Sequence, residues 1–369
     1  MNVRLPALAA SLALAISALL PASATAAQSE FVFGPAPATG HPVLVGSYLR
    51  HEPAVEREAW LRLGAQPRLP LWHRQFSYKG KAYSYEMVGT DPAKGSVTTT
   101  VPVYIVPLDF VFANHVTLDA RAKGQYYPLP AVPAFERSPF FNAVDFKSGP
   151  TDVGTTQFID AFQRANFWQN VSRKSPDYHM LLAAPTVLPA LKINVSASQG
   201  STSTTSGGIV YGTVDGNLAD TAARAYMTKM HTIAPSGFAI FLSYNTIIGS
   251  GVSFHSSVGP QTYTITMFND PGVLTFLGQQ FASVANIEVS THEVGEWTDD
   301  PFGNNITPGF GILEVGDALD GNRFFAQLGK ITYNMQELAF HDWFLCDAST
   351  SANGWYSYLD TLQPPAPGC

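Results

Sequence analysis

The chain has 369 residues, with 21 Lys plus Arg against 28 Asp plus Glu and a formal net charge of −7. Hydrophobic residues make up 46% and charged residues only 13%, so the chain can bury a sizeable core and is not intrinsically disordered. An acidic chain without a basic run lacks the clustered cations that phosphate contacts need, which argues against a nucleic-acid partner. With 27 Pro and 30 Gly the sequence is also too loop-rich for a helical bundle.

Residues 1–26 have the composition of a secretory signal peptide. Arg4 is the only charged residue before Glu30, residues 5–20 are largely apolar, and Ala24-Thr25-Ala26 fits the small-x-small cleavage rule. An uncleaved anchor is the alternative, which the short apolar run disfavours. Cleavage after Ala26 leaves residues 27–369, which contain no further long apolar stretch. We therefore expect a secreted protein with no membrane span.

Before residue 196 the sequence predicts two helices and one strand segment. Residues 54–63 have the pattern of a short helix, and residues 155–168 that of an amphipathic helix. Residues 97–112 have strand composition with partial alternation. Pro102 and Pro107 favour an edge strand or a bent strand there, because proline cannot donate a ladder hydrogen bond.

Residues 196–208 (SASQGSTSTTSGG) predict an exposed loop. The loop is the best position for a subdivision of residues 27–369, although it fits equally well inside one domain. Three strands follow at residues 209–214, 238–244 and 262–267. Asp270-Pro271 then has the pattern of a helix start. Strands that precede a helix bearing the chemistry indicate an α+β fold with a mixed sheet, and they place the candidate site in residues 209–369.

The most informative segment is residues 286–300 (NIEVSTHEVGEWTDD), which contains His292-Glu293-x-x-Glu296. On a helix, one side carries the apolar residues Val284, Ile287, Val294 and Trp297, and the other side carries Glu288, His292, Glu293 and Glu296. His292 and Glu296, one turn apart, can bind one metal ion. Glu293 is then placed as the general base that accepts a proton from water.

The alternative is that this acidic stripe is the solvent-exposed face of an amphipathic helix. Two features argue against that interpretation. Ala285 and Val289 lie on the same side, so the side is not uniformly polar. Gly295 in mid-helix costs about 1 kcal/mol relative to alanine, which indicates that another group approaches the helix closely.

Downstream of the helix the sequence offers further acidic ligands. Asp300-Pro301 predicts the end of the helix, and Asp300 is a further candidate supporting or cleft residue. Glu314, which lies 18 residues after Glu296, is the candidate third ligand, and Asp317 is a supporting residue or a competing ligand. One histidine and two carboxylates suit a divalent cation, which we expect to be Zn²⁺, with the harder Mn²⁺ or Ca²⁺ as alternatives.

The combined string His292-Glu293-x-x-Glu296, Asp300-Pro301 and Glu314-x-Gly316-Asp317 resembles a group of secreted bacterial zincin-like proteins. It is similar, more distantly, to the plant EXORDIUM or phosphate-induced proteins. The likeness extends to residues 153–168, 251–257 (GVSFHSS), 333–344 (YNMQELAFHDWF) and 353–356 (NGWY). The resemblance implies a zincin-like metal site at His292, Glu296 and Glu314 with Glu293 in the base position. It implies no substrate.

Three further features complete the set of candidate residues. His255 is a candidate cleft residue, and a hydrogen-bonded loop histidine is the alternative. Ser257 carries only half of a nucleophile elbow, which disfavours a serine hydrolase. Cys346 and Cys369, in a chain sent to an oxidising compartment, predict one disulfide that fixes the C-terminal tail, with free thiols as the alternative.

Two functions are therefore open at this stage. The first is a secreted metal-dependent hydrolase that cleaves peptide or amide bonds in an extracellular substrate, with Glu293 as the base. The second is a non-catalytic extracellular binding protein whose metal site is structural or vestigial. The intact Glu293 favours the first function, whereas a glutamate in place of the second histidine ligand favours the second.

Overall fold

The computed structural model of the protein describes residues 31–33, 53–249, 251–364 and 366–369. The predicted signal peptide, residues 1–26, lies outside the described residues. The described residues form seven α-helices, which are α1 (Pro53–Leu63), α2 (Ala131–Glu136), α3 (Phe158–Asn166), α4 (Trp168–Val171), α5 (Gly216–Lys229), α6 (Glu288–Asp299) and α7 (His341–Phe344).

The strands of the described residues are short and numerous. In chain order they are β1 (Phe31–Phe33), β2 (Leu71–Tyr78), β3 (Lys81–Val88), β4 (Thr98–Val101), β5 (Val103–Phe112), β6 (Thr117–Asp119), β7 (Val144–Ser148), β8 (Thr151–Thr156), β9 (His179–Leu182), β10 (Thr186–Val187), β11 (Leu191–Val195), β12 (Gly200–Thr204), β13 (Val210–Val214), β14 (Phe238–Tyr244), β15 (Thr246–Ile248), β16 (Phe254–Val258), β17 (Gln261–Phe268), β18 (Ile306–Thr307), β19 (Gly311–Ile312), β20 (Arg323–Leu328) and β21 (Ile331–Gln336).

The largest sheet has eight strands, and its main path runs β1-β11-β5-β14-β17-β16. The pairs from β1 to β17 along this path are parallel, whereas β16 joins β17 antiparallel at the edge. β6 and β10 also pair with β5. Smaller sheets and hairpins surround this sheet, and the predicted α+β class with a mixed sheet is confirmed.

Both faces of the large sheet are buried, as its parallel strands require. Along β14, the side chains of Phe238, Ile240 and Leu242 enter the core that contains α3 and α6. The alternate residues Ala239 and Phe241 enter a second core that contains α5. The period of two along a strand thus divides the apolar residues between two layers of helices.

The predicted helices and strands agree with the structure at most positions. Helices α1 and α3 confirm the predictions for residues 54–63 and 155–168, and β13, β14 and β17 confirm the three later strands. The proline-rich segment divides at Pro102 into β4 and β5. The expectation of an edge strand is wrong for β5, which lies between β11 and β14. Pro107 fits there because it lies where the partner of β5 changes, since β10 pairs as far as Ile105 and β11 pairs from Leu108.

Two other local predictions are wrong. Residues 196–208 are not a loop throughout, since β12 pairs with β13 as a hairpin. The structure also forms no α-helix after Asp270-Pro271, where two short 3-10 turns occur instead. Gly278 separates those turns with a φ of +134°, which a helix cannot contain. Strands from both sides of residues 196–208 share the large sheet, since β5 pairs with β14.

Cys346 and Cys369 lie at disulfide distance, with Cα atoms 5.5 Å apart, as predicted. The Cys369 carbonyl also accepts hydrogen bonds from Tyr78 Oη at 2.7 Å and Lys79 Nζ at 2.8 Å. The C-terminal tail is therefore fixed against both its own preceding segment and the β2–β3 turn. None of the helices in the described part of the chain is long and apolar enough to cross a membrane.

We expect the double substitution Cys346→Ser/Cys369→Ser to lower the free energy of unfolding by about 3 kcal/mol. The bridge spans 23 residues, and closing a loop of that length removes this much conformational freedom from the unfolded chain. Urea unfolding of the variant and of the reduced wild-type protein measures the effect. The two should agree, and an unchanged unfolding midpoint in both would contradict the assignment.

Candidate metal centre

The helix that carries the candidate site, α6, is a core helix. It contacts β17 of the large sheet on one side and β21 of the β20–β21 hairpin on the other. Every residue from Glu288 to Asp299 is buried. The Trp297 ring stacks on Phe238 with centroids 3.8 Å apart, and its indole N–H donates to Thr262 Oγ1 at 3.0 Å. The alternative of a solvent-exposed acidic stripe is therefore wrong.

Close packing explains the glycine in the middle of α6. A Cβ atom added to Gly295 would lie 2.4 Å from the Leu338 side chain, which packs directly on the helix backbone. This confirms the close approach that Gly295 predicted. The helix ends at Asp299, as the Asp300-Pro301 pair predicted.

His292 is held in one orientation by Gln336. Gln336 Nε2 donates to the Gly316 carbonyl at 2.7 Å, which directs Gln336 Oε1 toward His292 Nδ1 at 3.0 Å. Because that oxygen can only accept, Nδ1 carries the proton. His292 Nε2 then faces Glu296 Oε1 at 3.0 Å and Asp317 Oδ1 at 3.4 Å. This is the arrangement of a metal-ligating histidine, whose second ring nitrogen is fixed by an outer hydrogen bond.

Glu296 faces two histidines with its two carboxylate oxygens. Oε1 lies against His292 and accepts the Gly316 backbone N–H at 3.2 Å. Oε2 has no hydrogen-bond partner and lies 3.6 Å from His255 Nδ1. Burial alone would raise the pKa of Glu296, but the two histidines hold it well below its ordinary value.

His255 lies on β16 and is fully buried. The alternative that it is a loop histidine is therefore wrong. Its Nε2 contacts the Asp300 carbonyl at 3.0 Å. Since a carbonyl only accepts, Nε2 is the protonated nitrogen, and Nδ1 faces Glu293 Oε2 at 3.5 Å and Glu296 Oε2 at 3.6 Å. Burial lowers the pKa of His255, but the neighbouring carboxylates raise it well above its ordinary value.

Glu293 is buried at the floor of a cavity. Its Oε1 accepts a hydrogen bond from Ser253 Oγ at 2.5 Å, and its Oε2 has no hydrogen-bond partner. Burial raises the pKa of Glu293, and the nearby His255 opposes that effect only in part. A carboxylate with a raised pKa and access to a cavity is a stronger base than an ordinary glutamate.

The other predicted site residues occupy different positions around this centre. Glu314 is buried, its Oε2 has no hydrogen-bond partner, and burial and the neighbouring Glu296 charge raise its pKa well above the ordinary value. Asp317 is 38% exposed at the cavity. Asp300 is turned away, because its carboxylate accepts the backbone N–H groups of Asn304 and Asn305, each at 2.9 Å. Its side chain stabilises the turn after α6, and only its carbonyl reaches His255.

A cavity of about 430 Å³ opens beside His292 and Glu293. Its lining includes apolar side chains, which we call the apolar wall (Leu274, Leu277, Val284 and Val289), and acidic or amide side chains (Asp317, Asp320 and Gln336). Such a pocket can hold an apolar group of a substrate next to a polar reaction centre.

Two groups of side chains have the spacing of metal ligands. We call His292, Glu296 and Asp317 the pocket group, and His255, Glu293 and Glu296 the inner group. Among the described residues, the ion-pair partners of Glu293 and Glu296 are His255 and His292, with no lysine or arginine. Imidazole and carboxylate groups that converge in this way are a donor set that fits a divalent metal. The pocket group contains Asp317, not the predicted Glu314, and whether Glu314 is a ligand stays a prediction.

Sequence reasoning missed Ser253 and Gln336, which orient Glu293 and His292. It also treated His255 as a cleft residue when the structure places it against both glutamates. All three lie in the segments GVSFHSS and YNMQELAFHDWF, which the resemblance had already singled out. Their position in these two segments was the sequence signal that could have identified the three residues as part of the site.

We expect Gly316→Ala to weaken cation binding by about 10- to 100-fold, the usual effect of disturbing a residue that orients a ligand. The backbone at Gly316 (φ −83°, ψ −42°) accepts alanine, but the new Cβ would lie 2.6 Å from His292 Nδ1. The imidazole ring must therefore move. Isothermal titration with Zn²⁺ measures the change. Gly207→Ala is the matched control, because Gly207 lies at an open surface position. Equal affinities in the two variants would contradict the prediction.

A comparison of the chain with protein-family models, with curated proteins and with solved structures finds no match. The function is therefore argued from the centre itself.

Proposed function

We propose that this protein is a secreted metal-dependent hydrolase that cleaves peptide or amide bonds. The observation that carries the proposal is the pocket group, which brings His292 Nε2, Glu296 Oε1 and Asp317 Oδ1 together beside a cavity that His292, Asp317 and Glu293 line. The signal-peptide composition of residues 1–26 and the cysteine pair support secretion.

The donor set supports a divalent cation bound by His292, Glu296 and Asp317, with Zn²⁺ expected and Mn²⁺ or Ca²⁺ as alternatives. Such a cation supplies Lewis acidity, which polarises a carbonyl group and acidifies water. Two carboxylates and one neutral histidine balance its charge. The bound ion is then a weaker Lewis acid than one held by two histidines.

The protein's own residues have separate tasks in this proposal. Glu293 accepts the proton of the attacking water and returns it to the leaving amine. Ser253 holds the Glu293 carboxylate through its hydroxyl hydrogen bond. Gln336 keeps His292 in the tautomer that presents Nε2. The apolar wall at Leu274, Val284 and Val289 is placed to hold an apolar side chain of the substrate and to exclude water.

The decisive test is Glu293→Gln. We expect cation-dependent cleavage of quenched-fluorescent peptides with apolar residues to fall by at least about 100-fold, because general-base catalysis supplies 10²- to 10⁴-fold. The variant should keep its fold and its cation in the pocket group. Glu136→Gln, at the end of α2, is the control and should cleave like wild type.

Wild-type activity in the Glu293→Gln variant would contradict the role of Glu293. Cation-dependent thermal stability without any hydrolysis would instead favour the non-catalytic binding protein.

A further inference from the structure

A second set of ligand atoms lies behind the pocket group. It consists of His255 Nδ1, Glu293 Oε2 and Glu296 Oε2, and each of these atoms is buried without a hydrogen-bond partner. All three residues are at most 1% exposed. Three unpaired polar atoms that converge in a protein interior are costly unless something else binds them.

The distances distinguish a cation site from a hydrogen-bonded cluster. His255 Nδ1 lies 3.5 Å from Glu293 Oε2 and 3.6 Å from Glu296 Oε2. A direct N–H···O hydrogen bond is normally about 2.7–3.2 Å long. Ligands around a tetrahedral zinc ion, at bond lengths of about 2.0–2.2 Å, are separated by about 3.3–3.6 Å. The separations fit the edges of a coordination shell better than they fit hydrogen bonds.

The tautomer of His255 agrees with this interpretation. Its Nε2 proton is donated to the Asp300 carbonyl at 3.0 Å, so Nδ1 is the nitrogen that can bind a cation in place of a proton. A metal-bound histidine commonly donates its second N–H to a backbone carbonyl in this way. The turn after α6, which the Asp300 carboxylate stabilises, thus also orients the histidine.

We propose that His255, Glu293 and Glu296 form a second divalent-cation site, closed to solvent, and that Glu296 bridges it to the cation of the pocket group. Glu296 presents Oε1 to His292 and Oε2 to His255, which is the geometry of a bridging carboxylate. The inner site has no open face, which is the character of a structural metal site, whereas the pocket site is open.

Charge is compatible with two cations. Glu293, Glu296, Glu314 and Asp317 carry four negative charges when ionised, which two divalent cations balance. Among the described residues, Glu293 and Glu296 have ion pairs with His255 and His292 and with no lysine or arginine. The inner site assigns Glu293 Oε2 to a cation, so the proton acceptor of the proposed function would be Glu293 Oε1, which accepts the Ser253 hydroxyl hydrogen bond. The inner site itself does not require that the protein hydrolyse peptides.

The test is metal stoichiometry together with electron paramagnetic resonance of the Mn²⁺-loaded protein. Wild type should bind about two Mn²⁺ per chain, and carboxylate-bridged ions, typically about 3.5–4 Å apart in two-metal sites, should give an exchange-coupled spectrum. His255→Gln should bind about one ion and give an uncoupled six-line spectrum. His73→Gln, on an exposed part of β2, is the matched control and should keep two coupled ions.

A wild-type protein that saturates at one ion, or that binds two uncoupled ions, would overturn the proposal without any need for the variant. Two coupled ions in His255→Gln would overturn the assignment of His255. Because no arm of this test measures activity, the second site can fail while the hydrolase proposal stands, and the reverse also holds.

Discussion

Glu296→Gln is expected to remove bound cation from the protein and to abolish cation-dependent hydrolysis. Glu296 is the residue shared by the pocket group and the inner group, so its loss affects both. Disturbing a residue that only orients a ligand costs about 10- to 100-fold in metal affinity, so removing a direct ligand should cost more than about 100-fold. Equilibrium dialysis against Zn²⁺, read by mass spectrometry, measures the metal content.

Two controls make this result specific. Glu136→Gln should bind the same amount of cation as wild type, because Glu136 lies at the end of α2. Glu314→Gln is the second control, because Glu314 is a buried carboxylate that neither measured ligand group contains, so this variant should keep the cation of the pocket group. If Glu296→Gln retains stoichiometric zinc with wild-type affinity, the metal centre is not where the geometry places it.

The second large effect concerns His341 in α7, which is buried beside Tyr85 with ring centroids 4.2 Å apart. Burial, aided by the nearby Arg74 charge, lowers the pKa of His341 from 6.5 to about 3. Its Nε2 has no hydrogen-bond partner, as expected of a neutral ring in an apolar core. The unfolded chain takes up a proton below pH 6.5, whereas the folded protein resists protonation until about pH 3.

The sign of the effect follows from this difference in proton uptake. The lowered pKa of His341 decreases the free energy of unfolding as the pH falls below 6.5, by about 2 kcal/mol at pH 5 and about 4 kcal/mol near pH 3. His341→Leu should therefore lose part of the acid sensitivity of wild type. Urea unfolding of both proteins at pH 7 and pH 5 measures the difference. If the two proteins lose equal stability over that interval, His341 is not the buried neutral group described.

The sequence predicted the helix of the site better than it predicted the assembly of the site. Periodicity and the Asp300-Pro301 pair located α6 nearly to the residue, and Gly295 indicated close packing before Leu338 was known to contact it. Those signals are local. The two cysteines, both near the C-terminus of a chain with a predicted signal peptide, likewise sufficed to predict their pairing.

The sequence predictions that were wrong concern features that depend on contacts between segments distant in the chain. Pro107 suggested an edge strand, but it lies between the end of the β10 ladder at Ile105 and the start of the β11 ladder at Leu108, where a missing N–H is tolerated in a central strand. Asp270-Pro271 has a genuine helix-start pattern, which Gly278 overrides with its positive φ. His255 is close to Glu293 only because β16 pairs with β17 and packs against α6.

The metal ligands show the same limit of local reasoning. The spacing His292-x-x-x-Glu296 is a property of one helix, and it predicts that both side chains share one face. Asp317 and Glu314 lie on the segment between α6 and β20, and their distances from His292 depend on how that segment folds back. Sequence spacing favoured Glu314, whereas the structure brings Asp317 Oδ1 to 3.4 Å from His292 Nε2.

The measurement that tests the metal centre most directly is a crystal structure of the protein grown with Zn²⁺, with anomalous data collected at the zinc edge. The account predicts an anomalous peak bound by His292 Nε2 and Glu296 at the cavity floor. A protein that is folded as described, with zinc in the crystal but no peak at these side chains, would contradict the account.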